Sequence, residues 1–310
     1  MSIKKALITG IYGQDGSYIA ELLKDNGYEV YGIIQKNLSS NAIKIGKYLN
    51  QKDSIKSVYT CDLNSYADMK DLLIELKPDE IYHLAASHVS SQSSINSSCD
   101  EMFLYDKNVN ATLNILGICN EYLNDANIVV AGSCLVFDNS ETLIQNEDTL
   151  LSSNSLYGLA KIAEMNLVKY FRAKGLHVST AILYNHESSR RKDTFVTKKI
   201  IKNLVAIKQN KIDKFTLGDI DIQKDWGYAK DYVYAMYLMT QQNIAQDYIL
   251  SSGKSNTIKK FIEITAKKLD IKNWEKYIVI DDNIITRRNN TKLIGDCSLA
   301  IKQLNWNNQN

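Results

Sequence analysis

The chain has 310 residues, 45% of them hydrophobic and 23% charged, with a formal net charge of +2. This is globular composition, and the length suits one large α/β domain or a main domain with a smaller one attached. The near-neutral charge gives no reason to expect nucleic acid or an anionic membrane as partner, and no apolar run approaches the ~20 residues that cross a bilayer.

The N-terminus passes directly into a strand-like run, Ala6-Leu7-Ile8, so no signal peptide and a cytoplasmic location are expected. A helical pattern covers residues 17–25, with Gly27 as its C-cap, and a strand pattern covers 29–34, closing a βαβ unit. Residues 56–60 are strand-like. The alternation continues with a helix over 67–76, a strand over 80–84, a helix near 102–122 and a strand over 127–131. A helix over 155–174 and a strand over 177–183 follow. This rhythm predicts a Rossmann-type doubly wound parallel sheet. Beyond Tyr184 it loosens into what reads as a smaller, mixed α/β substrate-binding region. The expected division is residues 1–183, rejoined by about 215–240, against 184–310. The five cysteines are scattered and read as reduced thiols, not as disulfides or a metal site. The Asn-rich end, 305–310, reads as a frayed terminus.

Gly10-Ile-Tyr-Gly13-Gln14-Asp15-Gly16 lies between the first strand and first helix. Glycines suit a place where the chain turns sharply, a pyrophosphate approaches the backbone and helix packs on strand; the helix N-terminus adds free N–H groups. The G-x-x-G-x-x-G spacing points to the short-chain dehydrogenase/reductase version of a dinucleotide site, so NAD or NADP is the expected cofactor. No carboxylate follows the second strand at Gln35-Lys36-Asn37 to accept from a ribose hydroxyl. Lys36 would meet a 2′-phosphate, or is simply a solvated lysine. Asp62, with Leu63 beside it, is a candidate for the adenine; the rival role for Asp62 is a helix N-cap or turn.

Tyr157-Gly-Leu-Ala-Lys161 places a phenol and an ammonium on one helical face. A phenol is a poor base at neutral pH, but an adjacent cation favours the phenolate, which can then take a proton from a sugar hydroxyl. Ser133, just after the 127–131 strand, is placed to hydrogen-bond the same oxygen. Leu156, Leu159, Ala163 and Leu167 give this helix a second apolar side, which either packs on the sheet or meets another subunit.

With these motifs in hand, the chain resembles the GDP-mannose 4,6-dehydratase family. Residues 6–18 are similar to the family's A-L-I-T-G-x-x-G-Q-D-G-S-Y, and Lys77-Pro-Asp-Glu-Ile-Tyr82 to its K/Q-P-D-E-x-Y. Asn185-His-Glu-Ser-Ser-Arg-Arg191 and Thr194-Phe-Val-Thr-Lys-Lys-Ile200 resemble N-H-E-S-P-R-R and T-F-V-T-R-K-I. Asp225-Trp-Gly-Tyr-Ala-Lys-Asp-Tyr-Val233 resembles D-W-G-H-A-K-D-Y-V, while Gly295-Asp296 and Leu304-Asn-Trp306 echo the closing G-D and L-G-W. The resemblance implies a GDP-sugar substrate and a homodimer or higher homo-oligomer. It places Asn185 at the sugar diphosphate, Val196 and Lys199 at the guanine, and Lys224 near the nucleotide. His88 and Arg191 would contact substrate, and Arg287 or Arg288 would neutralise the diphosphate. For Arg191 and Lys199 a solvated surface cation is the alternative.

One departure bears on the chemistry. The family carries T-S-E where this chain has Ser133-Cys134-Leu135. That glutamate takes the C5 proton and assists loss of the C6 hydroxyl; leucine can transfer no proton. Three functions follow. The first is oxidation or reduction at C4 of GDP-mannose or GDP-manno-heptose without dehydration. The second is dehydration with a substitute carboxylate, Glu147 or Asp148, although Glu147 also reads as a loop tether. The third is a silent GDP-sugar-binding subunit, for which an intact Ser133, Tyr157 and Lys161 would be unnecessary.

Overall fold

The computed structural model describes residues 3–87, 98–281, 284 and 293–307. The first half alternates β1 (Lys5–Thr9), α1 (Gln14–Asp25), β2 (Glu29–Ile34), α2 (Ser40–Gln51), β3 (Ser57–Thr60), α3 (Tyr66–Leu76) and β4 (Glu80–His83). Next come α4 (Ser98–Tyr122), β5 (Asn127–Ala131), β6 (Ile144–Gln145), α5 (Leu156–Ala173) and β7 (Val178–Leu183). The second half holds β8 (Asn185–Glu187), α6 (Val196–Lys208), β9 (Phe215–Leu217), β10 (Gln223–Tyr228), α7 (Ala229–Thr240) and β11 (Tyr248–Leu250). It closes with β12 (Ser255–Thr257), α8 (Ile258–Lys268), β13 (Ile278–Ile280), β14 (Ile294–Gly295) and α9 (Ser298–Leu304).

Seven parallel strands form one sheet in the order β11-β7-β5-β4-β1-β2-β3. Both faces are covered, so the inner strands are apolar runs rather than alternating ones. Successive side chains in β1 enter different cores: Ala6 and Ile8 join one with Ile19, Leu23 and Met236, and Leu7 joins another with Leu73, Ile115 and Phe171. Sequence order reverses between β1 and β4, which opens the crevice where ligands of such sheets bind. At the opposite end of β4 Glu80 is wholly buried, yet its carboxylate accepts from Tyr28, Tyr82, Gln241 and Lys4, tying β4 to the end of α7.

A third core lies between α6 and α8, formed by Ile200, Leu204, Ile207, Phe215, Leu217 and Ile262, beside the small sheet β12-β10-β8. The strand that extends the main sheet is Tyr248–Leu250, beyond the expected 215–240 stretch. Within that stretch α7 packs against α1. The sequence pattern also overlooked α2, which buries only Ile45, Gly46 and Leu49 and starts from Ser39, whose hydroxyl accepts Ala42 N–H. Gly27, with φ +82°, follows α1 as expected for the left-handed position past a helix end. No helix among the described residues is long and apolar enough to cross a membrane.

Near the C-terminus Trp306 is 1% exposed, meets Tyr232 edge-to-face at 6.0 Å and donates to Asp231 O at 2.9 Å. Trp306→Ala is expected to cost about 3–5 kcal/mol of stability, read from the midpoint and slope of urea denaturation.

Candidate active site

The turn from β1 into α1 is as tight as backbone permits. Gly10 has φ +72°, and a Cβ there would sit 3.1 Å from Ala85 Cα. A Cβ on Gly16 would fall 2.4 Å from Gly10 O. No side chain caps the helix start, so the backbone N–H groups around Gln14–Gly16 can turn to an anion.

The side chains of Gln14 and Asp15, expected at the cofactor, bond to His186 and Ser188. Gln14 Nε2 donates to His186 O at 3.1 Å, and Ser188 Oγ donates to Gln14 Oε1 at 2.8 Å. Asp15 Oδ2 lies 2.9 Å from His186 Nε2. The other ring nitrogen, Nδ1, donates to Tyr184 O at 2.7 Å, and the ring stacks on Tyr232 at 4.9 Å. Burial opposes charge on both partners, but their attraction prevails: Asp15 is held below the usual carboxylate range and His186 above the usual imidazole value. Arg190, which sequence reading did not single out, completes the join. It donates to Ser17 Oγ at 3.0 Å, pairs with Glu21 at 2.6 Å and lies over the Tyr18 and Tyr48 rings at 4.0 and 4.8 Å. Tyr48 belongs to the overlooked α2, so no sequence signal could assign this role.

Lys36 is exposed past the end of β2, where Gln35 Nε2 donates to Asn37 O at 2.7 Å. Asp62 carries a turn: its Oδ1 accepts Asn64 N–H at 3.1 Å, while Ser65 caps α3. Leu63 O accepts from Asn114 at 3.0 Å, and its side chain packs on the second core.

Ser133 follows β5 and begins a single 3-10 turn, Cys134–Phe137; its Oγ accepts Leu135 N–H at 3.3 Å. Gly158 lets this turn approach α5, since a Cβ there would lie 2.6 Å from Leu135 O. Lys161 is almost wholly buried, donates to Ala131 O at 2.9 Å and Glu164 at 3.0 Å, and sits 5.8 Å from the Tyr157 ring centroid. Burial pushes the Tyr157 phenol up; Lys161 and Arg191 pull it down, Glu164 and Cys134 push it up, and the net direction is up. Arg191 also lies 3.6 Å over Phe195 and 3.4 Å from Glu187 Oε2. Its side chain is 18% exposed.

No proton-transfer group stands at the position after Cys134. Leu135 packs on the first core, and burial pushes the Cys134 thiol up to about 12. Glu147 Oε1 accepts Ile249 N–H at 2.8 Å, so the tether reading of this residue holds. It faces a cleft of about 600 Å³ with Ile162, Met165 and Asn166. Those residues lie roughly 80–180° around α5 from Tyr157. Asp148 is exposed on the same loop, its N–H donating to Asn146 Oδ1 at 3.2 Å.

Asn185 opens β8 and donates to Asp225 O at 3.3 Å. Lys224 is in β10, close enough to Cys134 to act on its thiol. Val196 starts α6, and on the next turn burial holds the half-buried Lys199 ammonium down. His88, Arg287 and Arg288 lie outside the described residues.

A doubly wound sheet with a glycine turn after β1, a serine after β5 and a tyrosine–lysine pair on α5 fits a nicotinamide-dependent short-chain dehydrogenase/reductase of the extended type. Within that class the chain belongs to the GDP-mannose 4,6 dehydratase family, whose profile matches residues 7–310. It is 36% identical to GDP-mannose 4,6 dehydratase 2 of Arabidopsis thaliana, over 99% of this chain and 83% of that protein. Identity to the GDP-mannose 4,6 dehydratase of Homo sapiens is 33%, over 97% and 86%. Among solved structures, the dTDP-glucose 4,6-dehydratase of Bacillus anthracis with NAD superposes at TM-score 0.83 and 18% identity, covering 99% of this chain and 92% of that one. The UDP-glucose 4-epimerase of Thermotoga maritima gives 0.82 at 20%, covering 98% and 94%. At these identities the two structures establish the shared fold.

The Asp15–His186 pair predicts a pH signature. The raised His186 value makes its contribution complete below the ordinary imidazole pKa and lost as pH rises through the folded value. The lowered Asp15 value makes its contribution complete above the ordinary carboxylate pKa and lost as pH falls through the folded one. His186→Gln should therefore cost most near pH 5–6, about 3 kcal/mol for a broken buried pair, and less in alkali. Urea denaturation of both proteins across pH measures this.

Proposed function

We propose that the protein oxidises, or in reverse reduces, C4 of a GDP-linked sugar of the GDP-mannose or GDP-manno-heptose type, without dehydration. The observation that carries this reading is a complete Ser133–Tyr157–Lys161 set beside Leu135, where elimination would need a second acid–base group. The tether of Glu147 on Ile249 and the exposure of Asp148 support it against a substitute carboxylate.

Tyr157 takes the proton of the C4 hydroxyl. Ser133 Oγ, which accepts from Leu135 N–H, keeps its own proton to donate to the same substrate oxygen. Lys161 has two ammonium protons committed, to Ala131 O and Glu164, and one left for a ribose hydroxyl of the cofactor. NAD or NADP, when bound, supplies the hydride acceptor and, oxidised, a positive charge that favours the phenolate. The glycine turn fits its pyrophosphate, since Cβ atoms at Gly13 and Gly16 would crowd Gly10 O at 3.0 and 2.4 Å. Lys36 biases the choice toward NADP, and Asp62 and Leu63 lie toward the adenine. Asn185, Arg191, Val196, Lys199 and Lys224 receive the GDP-sugar.

In this reading residues 1–183 with the returning segment hold the cofactor, and 184–310 mainly hold the nucleotide sugar. A cytoplasmic homodimer uses the outer side of α5, where Leu159 is 43% exposed, together with Leu113 of α4, 42% exposed.

Incubation with NAD or NADP and each GDP-sugar, followed by mass spectrometry of the sugar, is the test. Loss of two hydrogens with cofactor reduction is expected. Loss of one water with no net cofactor reduction restores the dehydratase. Tyr157→Phe should still bind cofactor and GDP but lose at least about 10²-fold in turnover; near-normal turnover removes the assignment.

A further inference from the structure

Glu164 lies one turn beyond Lys161 and two beyond Tyr157 on α5, with a side chain only 2% exposed. Its Oε2 accepts from Lys161 Nζ at 3.0 Å and from Thr112 Oγ1 of α4 at 3.1 Å; its Oε1 has no hydrogen-bond partner. The donors behind it have fixed directions. Leu84 and Ala85 N–H both donate to Thr9 Oγ1, at 3.1 and 3.0 Å, so the Thr9 proton goes to His83 Nδ1 at 2.8 Å. Burial, with Lys161 nearby, pushes His83 down to about 3, so the ring is neutral and carries its proton on Nε2. That proton goes to Thr112 Oγ1 at 3.2 Å, which leaves the Thr112 hydroxyl donating to Glu164. The chain therefore ends on a carboxylate oxygen that must accept, against the lysine of the catalytic pair.

We propose that Glu164 is a positioning residue for the reaction: its buried carboxylate fixes the Lys161 ammonium and damps that ammonium's pull on the Tyr157 phenol. The inference rests on the C4 oxidoreductase reading of Tyr157 and Lys161. The charged and titratable groups that face the phenol are Lys161 and Glu164 of α5, Cys134 from the turn after β5 and Arg191 from the segment after β8. Facing the carboxylate are Lys161, Thr112 of α4 and, behind Thr112, His83 of β4. Of the groups acting on Tyr157, Glu164 is the one with direct hold of Lys161. A carboxylate that served only to anchor α5 would leave the ionisation of Tyr157 unchanged when replaced by an isosteric amide.

Glu164→Gln keeps the shape and removes the charge. The Tyr157–Lys161 pair then gives up its first proton at lower pH, by about one unit. Two readouts apply: NMR of protein labelled with 13Cζ-tyrosine, the Tyr157 line assigned by its absence in Tyr157→Phe, and the acid limb of kcat/KM for sugar oxidation. Both should move to lower pH. Glu164→Asp, which draws the carboxylate back by one methylene, should shift part-way and serves alone if Glu164→Gln does not accumulate as folded protein. A Tyr157 line that titrates as in wild type in these variants, whatever happens to rate or melting temperature, overturns the proposal. A shifted line in a protein that oxidises no GDP-sugar sinks the C4 reading and leaves the positioning role standing.

Discussion

The site depends on a join between two parts of the chain that lie 171 to 174 residues apart. Gln14 and Asp15, at the start of α1, grip His186 and Ser188 around β8. A helix start with free N–H groups and a segment carrying Asn185 and Arg191 are thereby held as one unit. Arg190 adds a second grip, its guanidinium between the rings of Tyr18 and Tyr48 and its charge on Glu21. Loops alone would hold these parts less closely, because each ordered residue costs roughly 1–2 kcal/mol of backbone entropy that must be offset by contacts. The consequence is chemical. Arg191 is near enough to Tyr157, Asp15 and His186 to act on all three.

Pairing also accounts for the charges buried around the site. Asp15, His186, Lys161 and Glu164 all leave water, and each does so beside an opposite charge and a directed hydrogen bond. Unpaired, any of them would neutralise rather than remain charged in so dry a setting. Pairing keeps the ammonium of Lys161 charged within reach of the phenol, which is what the proposed role of Tyr157 as a base requires. Leu135 fits this economy: it packs on the core and asks for no partner.

Much of this was legible in the sequence where the physics is local. Parallel strands buried on both faces must be apolar runs, so β1, β2, β5 and β7 stood out, and the glycine spacing marked the turn between β1 and α1. Tyr157 and Lys161 were legible as a pair because helical spacing alone puts the phenol and ammonium on one face, and Ser133 because it follows a strand-like run. What failed to show depends on contacts across the chain. α2 buries too few residues to be periodic. β11 has three residues and gains its place only by pairing with β7. The engagement of Gln14 and Asp15 with β8, and of Glu164 with Lys161, follows from neighbours that sequence order does not give.

The proposed function requires that this family member retains the machinery for hydride transfer at C4 and lacks a group that removes the C5 proton. Turnover in D2O examines that group directly, because a proton taken by an enzymic base exchanges with solvent. After short incubation with GDP-mannose or GDP-manno-heptose, the sugar should carry no deuterium at C5 beyond what an isolated keto sugar acquires in the same time. Deuterium at C5 accumulating at the rate of turnover would mean that a base other than Tyr157 acts there, and would contradict oxidation without dehydration.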